Sequence, residues 1–170
     1  MSMQIKFTNY KDGLHQFNFT TSVKELGLEE KFIGNVLLNC EMDKSSSQII
    51  MNCNFSITTK LQCDRCTKEF EDEFEMSFKS IYFISHDKGD NEIDESGIHY
   101  LSPDDDKIDL SSDTVENALL TIPMKVLCSE DCKGLCPICG VNKNEKECNC
   151  VADTSNPVWE KLLELKGKLN

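Results

Sequence analysis

Cysteines are the residues of this 170-residue sequence whose type and spacing point most clearly to chemistry. Eight of its ten cysteines form four close pairs, with one to three residues between the two thiols of a pair. The pairs are Cys63/Cys66, Cys128/Cys132, Cys136/Cys139 and Cys148/Cys150. A structural zinc site uses four thiolates in a tetrahedron, so eight paired thiols are enough for two such sites. The spacing therefore predicts two zinc ions, each held by four cysteines.

The assignment of pairs to sites is open, and one arrangement is favoured. In C-P-I-C-G at 136–140, the proline fixes φ inside the turn and Gly140 permits a positive φ just after it. The tight pair Cys148/Cys150 follows after a short loop and can close the same site. The predicted local site is thus Cys136, Cys139, Cys148 and Cys150, and the predicted long-range site is Cys63, Cys66, Cys128 and Cys132. A rival pairing joins Cys63/Cys66 to Cys136/Cys139, as in a two-knuckle zinc ribbon, and Cys128/Cys132 to Cys148/Cys150.

The other two cysteines, Cys40 and Cys53, stand alone in apolar stretches that resemble β-strands. A free cysteine in such a position behaves as a small hydrophobic residue. We therefore expect Cys40 and Cys53 to be small core residues and not metal ligands.

The sequence predicts a cytoplasmic protein. Its first residues, MSMQIKFTNY, lack the basic region and apolar run of a secretory signal. No apolar segment approaches the roughly 20 residues of a membrane-spanning helix. Thiols stay reduced in the cytoplasm, where disulfides are rare and paired cysteines usually bind metal.

The formal net charge of -12, from 18 basic and 30 acidic residues, bears on the choice of partner. Affinity for a nucleic-acid backbone comes mainly from Lys and Arg at the phosphates, so this chain is poorly suited to grip RNA or DNA unaided. A basic protein partner fits better, because complementary fields speed encounter. Ordinary solubility explains the acidity equally well.

Alternating apolar residues predict a β-rich N-terminal part. The segments Gly34–Met42 and Ile49–Leu61 suit two long strands, and a third strand follows Cys66 with Phe70, Phe74 and Phe78 on one face. Asp12-Gly13 predicts a hairpin between the apolar stretches before and after it. The polar stretch 86–96 has no period and is expected to be a loop. Arg65, inside C-D-R-C, is expected to be solvated.

Two helices complete the predicted architecture. Asp113 is a candidate N-cap, with Glu116 three residues on, for a helix at about 113–122 that ends before Pro123. Asn156-Pro157 starts a second helix that runs to about Lys168. The predicted fold class is α+β, with an antiparallel β-sheet core, one internal helix, a Cys-rich zinc-knuckle segment and a C-terminal helix. The predicted bounds are a core at 1–125, a Cys-rich segment packed on it at 126–152, and the terminal helix at 153–170, within one compact domain.

From about Leu61 to the C-terminus, the chain resembles the YceD family of large ribosomal RNA subunit accumulation proteins. The resemblance rests first on D-C-K-G-L-C-P-I-C-G at 131–140, followed by Asn142 and Asn144. Further matches are C-x-R-C at 63–66 with Phe70, I-D-L at 108–110, Pro123 and Pro157. The resemblance implies a role in accumulation or maturation of large-subunit ribosomal RNA, and it supplies no catalytic residue.

Three functions follow from these features. The favoured one is a non-catalytic, zinc-binding ribosome-assembly factor that contacts a ribosomal or assembly protein and reaches large-subunit RNA indirectly, with no small-molecule substrate. The alternative is a thiol redox protein that uses Cys63 and Cys66, since C-x-x-C is also the oxidoreductase motif. A zinc module that reads DNA is disfavoured, because no basic recognition helix accompanies the cysteines.

Overall fold

The computed structural model describes residues 3–84 and 97–150. The chain divides into two compact units: unit 1 comprises Met1–Leu61 and Glu69–Val126, and unit 2 comprises Gln62–Lys68 and Leu127–Asn170. The loop predicted at 86–96 and the helix predicted to start at Pro157 lie outside the described residues.

Strands dominate the described residues, which also include a 3₁₀ turn, Phe7–Asn9, and an α-helix, α1. The strands are β1 Gln4–Ile5, β2 Gly13–Ser22, β3 Phe32–Lys44, β4 Gln48–Gln62, β5 Glu69–Ile84, β6 Ile98–Leu101 and β7 Ile108–Asp109, and the helix α1 spans Ser111–Leu120. Within residues 3–84 and 97–150, no helix combines the length and the apolar character that a membrane crossing requires. The predicted combination of a sheet with one internal helix is confirmed.

The main sheet has five strands in the order β2-β3-β4-β5-β6. Strand β3 is antiparallel to both β2 and β4, whereas β6 lies parallel to β5. The prediction of an antiparallel sheet is therefore confirmed only in part, because the sheet is mixed. A parallel neighbour needs a long connection, and residues 85–97 between β5 and β6 supply one.

The predicted hairpin at Asp12-Gly13 is wrong. Strand β2 pairs with β3, and the short strand β1 pairs antiparallel with the distant β7, where Ile5 lies opposite Ile108. Both isoleucines are buried, together with Phe7 in the 3₁₀ turn. The long-range burial of these apolar side chains outweighs the local turn signal, since each contributes roughly 1.5–3 kcal/mol on transfer from water.

The core of unit 1 follows from strict alternation along β3 and β4. In β3 the side chains of Val36, Leu38, Cys40 and Met42 are buried, while those between them face away from the core. Successive side chains of a strand point to opposite faces of its sheet, so these residues share the core face. Strand β4 continues the pattern, with buried Met51, Cys53, Phe55 and Ile57.

Cys40 and Cys53 are core residues as expected, but they do not stand alone. They lie directly opposite each other across β3 and β4 and are joined by a disulfide. Both are buried, with 3% and 1% of their surface exposed. The expectation of a chain without disulfides is wrong for this pair. The register of two strands decides which residues meet, and cysteine spacing carries no information about it.

Helix α1 begins two residues earlier than predicted, and Asp113 does not cap it. The N-cap position is Leu110, which makes no side-chain capping bond. Asp113 Oδ2 instead accepts hydrogen bonds from Ser80 Oγ at 2.6 Å and from Tyr82 OH at 3.2 Å, which connects α1 to β5. Burial and the adjacent Asp113 carboxylate raise the pKa of Tyr82, so its hydroxyl stays protonated as a donor.

Candidate metal centres

Unit 2 brings the eight paired cysteines into two groups of four. The first group is Cys63, Cys66, Cys128 and Cys132, and the second is Cys136, Cys139, Cys148 and Cys150. Within each group all four sulfur atoms lie within 4.8 Å of one another. This is the favoured arrangement of one long-range site and one local site, and the structure does not group the cysteines in the rival way.

Sulfur separations in the long-range site match a metal-centred tetrahedron. Cys63 Sγ lies 3.7 Å from Cys132 Sγ, and Cys66 Sγ lies 3.6 Å from Cys128 Sγ. A zinc–sulfur distance of roughly 2.3 Å places the corners of a tetrahedron about 3.8 Å apart. A disulfide would need a separation of roughly 2.05 Å. The spacing thus suits four thiolates around one ion and does not suit a bond between them.

The interior of unit 2 gives a second reason to expect a metal. Among its described residues, the buried hydrophobic side chains are all cysteines: Cys63, Cys66, Cys132 and Cys136. Exposed apolar side chains include Ile138, at 56% exposure, and Leu135. So small a cluster of thiols buries too little apolar surface to order a chain, and small domains of this kind depend on metals or disulfides. The donor set therefore fits two structural zinc ions.

The two C-x-x-C turns share one backbone design. In the first, Thr67 N–H donates to Cys63 O at 2.9 Å; in the second, Gly140 N–H donates to Cys136 O at 2.9 Å. The residue after the second cysteine has a positive φ in both turns, 72° at Gly140 and 58° at Thr67. Glycine adopts this conformation freely, whereas a β-branched residue there is strained.

Replacing Thr67 with glycine is expected to stabilise the folded chain by about 1 kcal/mol. The change removes the cost of a left-handed β-branched residue, roughly 1–2 kcal/mol, and part of this gain offsets the greater freedom of glycine in the unfolded chain. The hydrogen bond from Thr67 Oγ1 to Cys66 O, at 2.7 Å, is lost. Urea unfolding of zinc-loaded protein measures the gain. Thr67→Ala, which keeps a Cβ at positive φ, should gain less, and equal effects would contradict the strain argument.

Arg65 is exposed, in line with the expected solvated side chain, and it is also hydrogen-bonded within unit 2. Its Nη1 donates to Cys132 O at 2.8 Å and to Glu130 O at 3.5 Å, and its own carbonyl accepts Leu135 N–H at 3.0 Å. Gly134 packs so closely that an added Cβ would lie 3.0 Å from Arg65 O. Arg65 therefore links the first C-x-x-C turn to the segment around and after Cys132, although the two lie far apart in sequence.

Each site contains thiols of contrasting acidity. Burial opposes ionisation of Cys63, but hydrogen bonds from the backbone of Cys128, Cys66 and Arg65 together lower its pKa to about 6. The hydrogen bond with Cys66, with burial, raises the pKa of Cys128 to about 12. Four neighbouring thiols cannot all ionise without a counter-charge, and a divalent cation supplies it.

The local site repeats this contrast. Hydrogen bonds from the backbone of Cys139 and Ile138 lower the pKa of Cys136 to about 6. The hydrogen bond with Cys139, followed by burial, raises the pKa of Cys150 to about 12. Metal ligation needs thiolates, so a bound cation would favour the ionised form of all four thiols in each site.

Sequence reasoning missed the part that Asn144 plays at the long-range site. Its Nδ2 lies 3.3 Å from Cys132 Sγ and donates toward it. Burial raises the pKa of Cys132, but the hydrogen bond from Asn144 and one from the Gly134 backbone outweigh it and lower the pKa. Asn144 follows the local site's first turn and precedes Cys148, so no spacing rule linked it to Cys132. Its place in the family resemblance was the available signal.

Comparisons with known proteins agree with the resemblance. The family model described as "Large ribosomal RNA subunit accumulation protein YceD" matches residues 51–166, more than half of the chain. The uncharacterized protein YlbN of Bacillus subtilis is 29% identical over 144 residues, 78% of this chain and 80% of that protein. The uncharacterized protein Rv2926c of Mycobacterium tuberculosis is 24% identical over 130 residues, 76% of this chain.

The chain spans 61% of the length of the mycobacterial relatives that it matches. No solved structure matches it. The family match covers all eight clustered cysteines, Asn144 and helix α1. The chain therefore belongs to the YceD family.

Proposed function

We propose that the protein is a non-catalytic, zinc-binding factor of the cytoplasm that supports accumulation of large-subunit ribosomal RNA during ribosome biogenesis. The observation that carries the proposal is the family match over residues 51–166, which includes every cysteine of the two metal centres. In this proposal zinc is structural. It holds unit 2 in shape, because the buried hydrophobic side chains described there are the metal ligands themselves.

The distribution of charge supports a basic protein as the direct partner. The residues of unit 1 include 22 acidic and 10 basic side chains, whereas unit 2 has 8 of each, so unit 1 accounts for the net charge of -12. Strand β5 places Glu69, Glu71, Glu73 and Glu75 on exposed positions. Asp72 between them is exposed too, whereas Phe70, Phe74 and Met76 are half-buried. We propose that this acidic row, Glu69 to Glu75, contacts a ribosomal or assembly protein, and that large-subunit RNA is reached through that partner.

The thiol redox alternative has less support. An oxidoreductase of the C-x-x-C type needs a reactive thiol with one resolving partner. Cys63 instead has three other thiols around it, with Cys132 Sγ 3.7 Å away. Tightly held zinc that blocks alkylation of Cys63 and Cys66 is the result expected here, and rapid alkylation of zinc-loaded protein would favour the alternative.

Ribosomal RNA in cells that lack the gene tests the proposed function. We expect large-subunit RNA to fall relative to small-subunit RNA, and the parent chain supplied from a plasmid to restore it. A Cys63→Ser, Cys139→Ser variant, deprived of a ligand in each metal centre, should fail to restore it at equal protein level. An unchanged RNA ratio in the deletion strain would contradict the proposal.

Charge reversal tests the proposed contact. Glu71→Lys with Glu73→Lys changes two exposed residues of the acidic row and should weaken restoration of large-subunit RNA. The matched control is Glu29→Lys with Glu30→Lys, an identical change of charge at two exposed positions outside the sheet. Equal loss in both variants would assign the effect to net charge alone. Tight binding of the pure protein to large-subunit RNA at physiological salt would overturn the indirect route.

A further inference from the structure

We infer that Asn144 couples the two metal centres, so that zinc in the local site strengthens zinc binding at the long-range site. The inference rests on the zinc binding proposed above and assigns a positioning role to one side chain. Asn144 belongs to the segment between Cys139 and Cys148, two ligands of the local site, yet its amide contacts Cys132, a ligand of the long-range site.

Hydrogen bonds fix the orientation of the Asn144 amide. Its Oδ1 accepts the backbone N–H of Lys133 at 2.8 Å, and its Nδ2 donates to Asn142 Oδ1 at 2.8 Å as well as toward Cys132 Sγ at 3.3 Å. A flipped amide would point its NH₂ group at the Lys133 N–H, which cannot accept a hydrogen bond. The observed orientation is therefore set by the network, and it aims a donor at the sulfur.

The loop that carries Asn144 is attached to both centres. Lys143 N–H donates to Gly134 O at 2.9 Å, and Leu135 pairs with Asn142 in an antiparallel bridge. Next to this bridge, Cys136 N–H donates to Val141 O at 2.8 Å. The segment after Cys132 and the segment before Asn144 thus form a short ladder, and the turn at its closed end is C-P-I-C-G of the local site. Metal at the local site would hold this turn closed and keep Asn144 beside Cys132.

The expected coupling is large enough to measure. A donor to a ligand sulfur holds that ligand in place and stabilises the negative charge that it carries when bound to metal. Loss of a group that supports a metal ligand in this way typically lowers metal affinity by roughly 10–100-fold. Coupling between two binding sites is also reciprocal, so metal at the long-range site must strengthen binding at the local site by the same factor.

The test follows metal release from each site separately. Zinc-loaded full-length protein is challenged with EDTA and N-ethylmaleimide, and mass spectrometry maps the cysteines that become alkylated. In Asn144→Ala we expect long-range-site cysteines to be alkylated roughly 10-fold faster or more. The local site, which loses the reciprocal strengthening, should be alkylated faster than in the parent as well. Asn144→Asp keeps the shape and the acceptor for Lys133 N–H but loses the donor, and it should behave like the alanine variant or worse. Lys143→Ala, which keeps the backbone bond to Gly134, is the matched control and should match the parent.

A double-mutant cycle separates coupling from a general loss of structure. Cys139→Ser, which opens the local site, should speed alkylation of long-range-site cysteines in the parent but add little in Asn144→Ala. Parent-like protection of that site in Asn144→Ala would overturn the inference, as would additive effects in the cycle. If the protein holds two zinc ions but the two sites show no coupling, the inference fails and the proposed zinc binding stands. Protein that holds no zinc overturns the proposed zinc binding as well.

Discussion

Serine in place of Cys63 or Cys139 is expected to lower the zinc content of the purified chain from two ions to one. The two cysteines belong to different groups of four, so each substitution removes one ligand from one tetrahedron. Structural zinc sites close with four protein ligands, and their apparent binding free energy near pH 7 is roughly 10–16 kcal/mol in small peptides. Loss of one thiolate should therefore empty the affected site at ordinary chelator concentrations. Native mass spectrometry of reduced protein measures the stoichiometry.

The two substitutions should differ in their effect on the fold of unit 2. Cys63 joins the 62–68 segment to residues after 127, whereas Cys139 closes a site within residues 136–150. We expect limited proteolysis to cleave the chain within residues 62–68 in Cys63→Ser only. Ile138→Ser is the control, since it places serine at an exposed position of the C-x-x-C turn that contains Cys139 and keeps all eight thiols. Two zinc ions in Cys63→Ser would contradict the assignment of that residue.

Removal of the Cys40–Cys53 disulfide is expected to lower the free energy of unfolding by about 3 kcal/mol under oxidising conditions, given loop closure over this length of chain. The bond closes a loop across a sequence separation of 13 residues in the hairpin of β3 and β4. The test variant is Cys40→Ala with Cys53→Ala, which leaves the eight clustered thiols intact. Urea unfolding measures the difference.

A reductant provides the control for this prediction. With a phosphine reductant the parent should lose about the same free energy, because its unfolded chain is no longer cross-linked. The alanine variant should change little, and the remaining gap between the two proteins reports the lost packing of the two buried sulfur atoms. A parent whose stability does not respond to the reductant would contradict a stabilising disulfide.

Patterns that depend on neighbours in sequence were predicted best. The long strands β3 and β4 appear within two residues of the predicted ends, because alternation reports directly which face of a strand is buried. The grouping of cysteines into a local and a long-range set followed from the same kind of local information, in that C-P-I-C-G and the nearby Cys148 fit one short loop.

Features decided by register or by a distant partner were missed. The disulfide required knowledge that Cys40 lies opposite Cys53, and the pairing of β1 with β7 required knowledge of a contact more than one hundred residues away along the chain. Asp113 has the residue type of a cap, yet Ser80 and Tyr82 on β5 hold its carboxylate. In each case a contact with a residue distant in sequence stabilised the fold more than the interaction that the local sequence pattern predicts.

The pairing of β1 with β7 sets a minimum time for completing unit 1 during synthesis. Ile5 pairs with Ile108, so β1 has no partner strand until the ribosome has added the residues between them. At elongation rates on the order of 5–20 residues per second, that wait lasts roughly 5–20 s. Throughout this interval Ile5 and Phe7, which are buried in the folded chain, lack the residues that later bury them. Chaperones that bind short apolar segments near the exit tunnel therefore have a defined window in which to engage this chain, and it closes once β7 emerges.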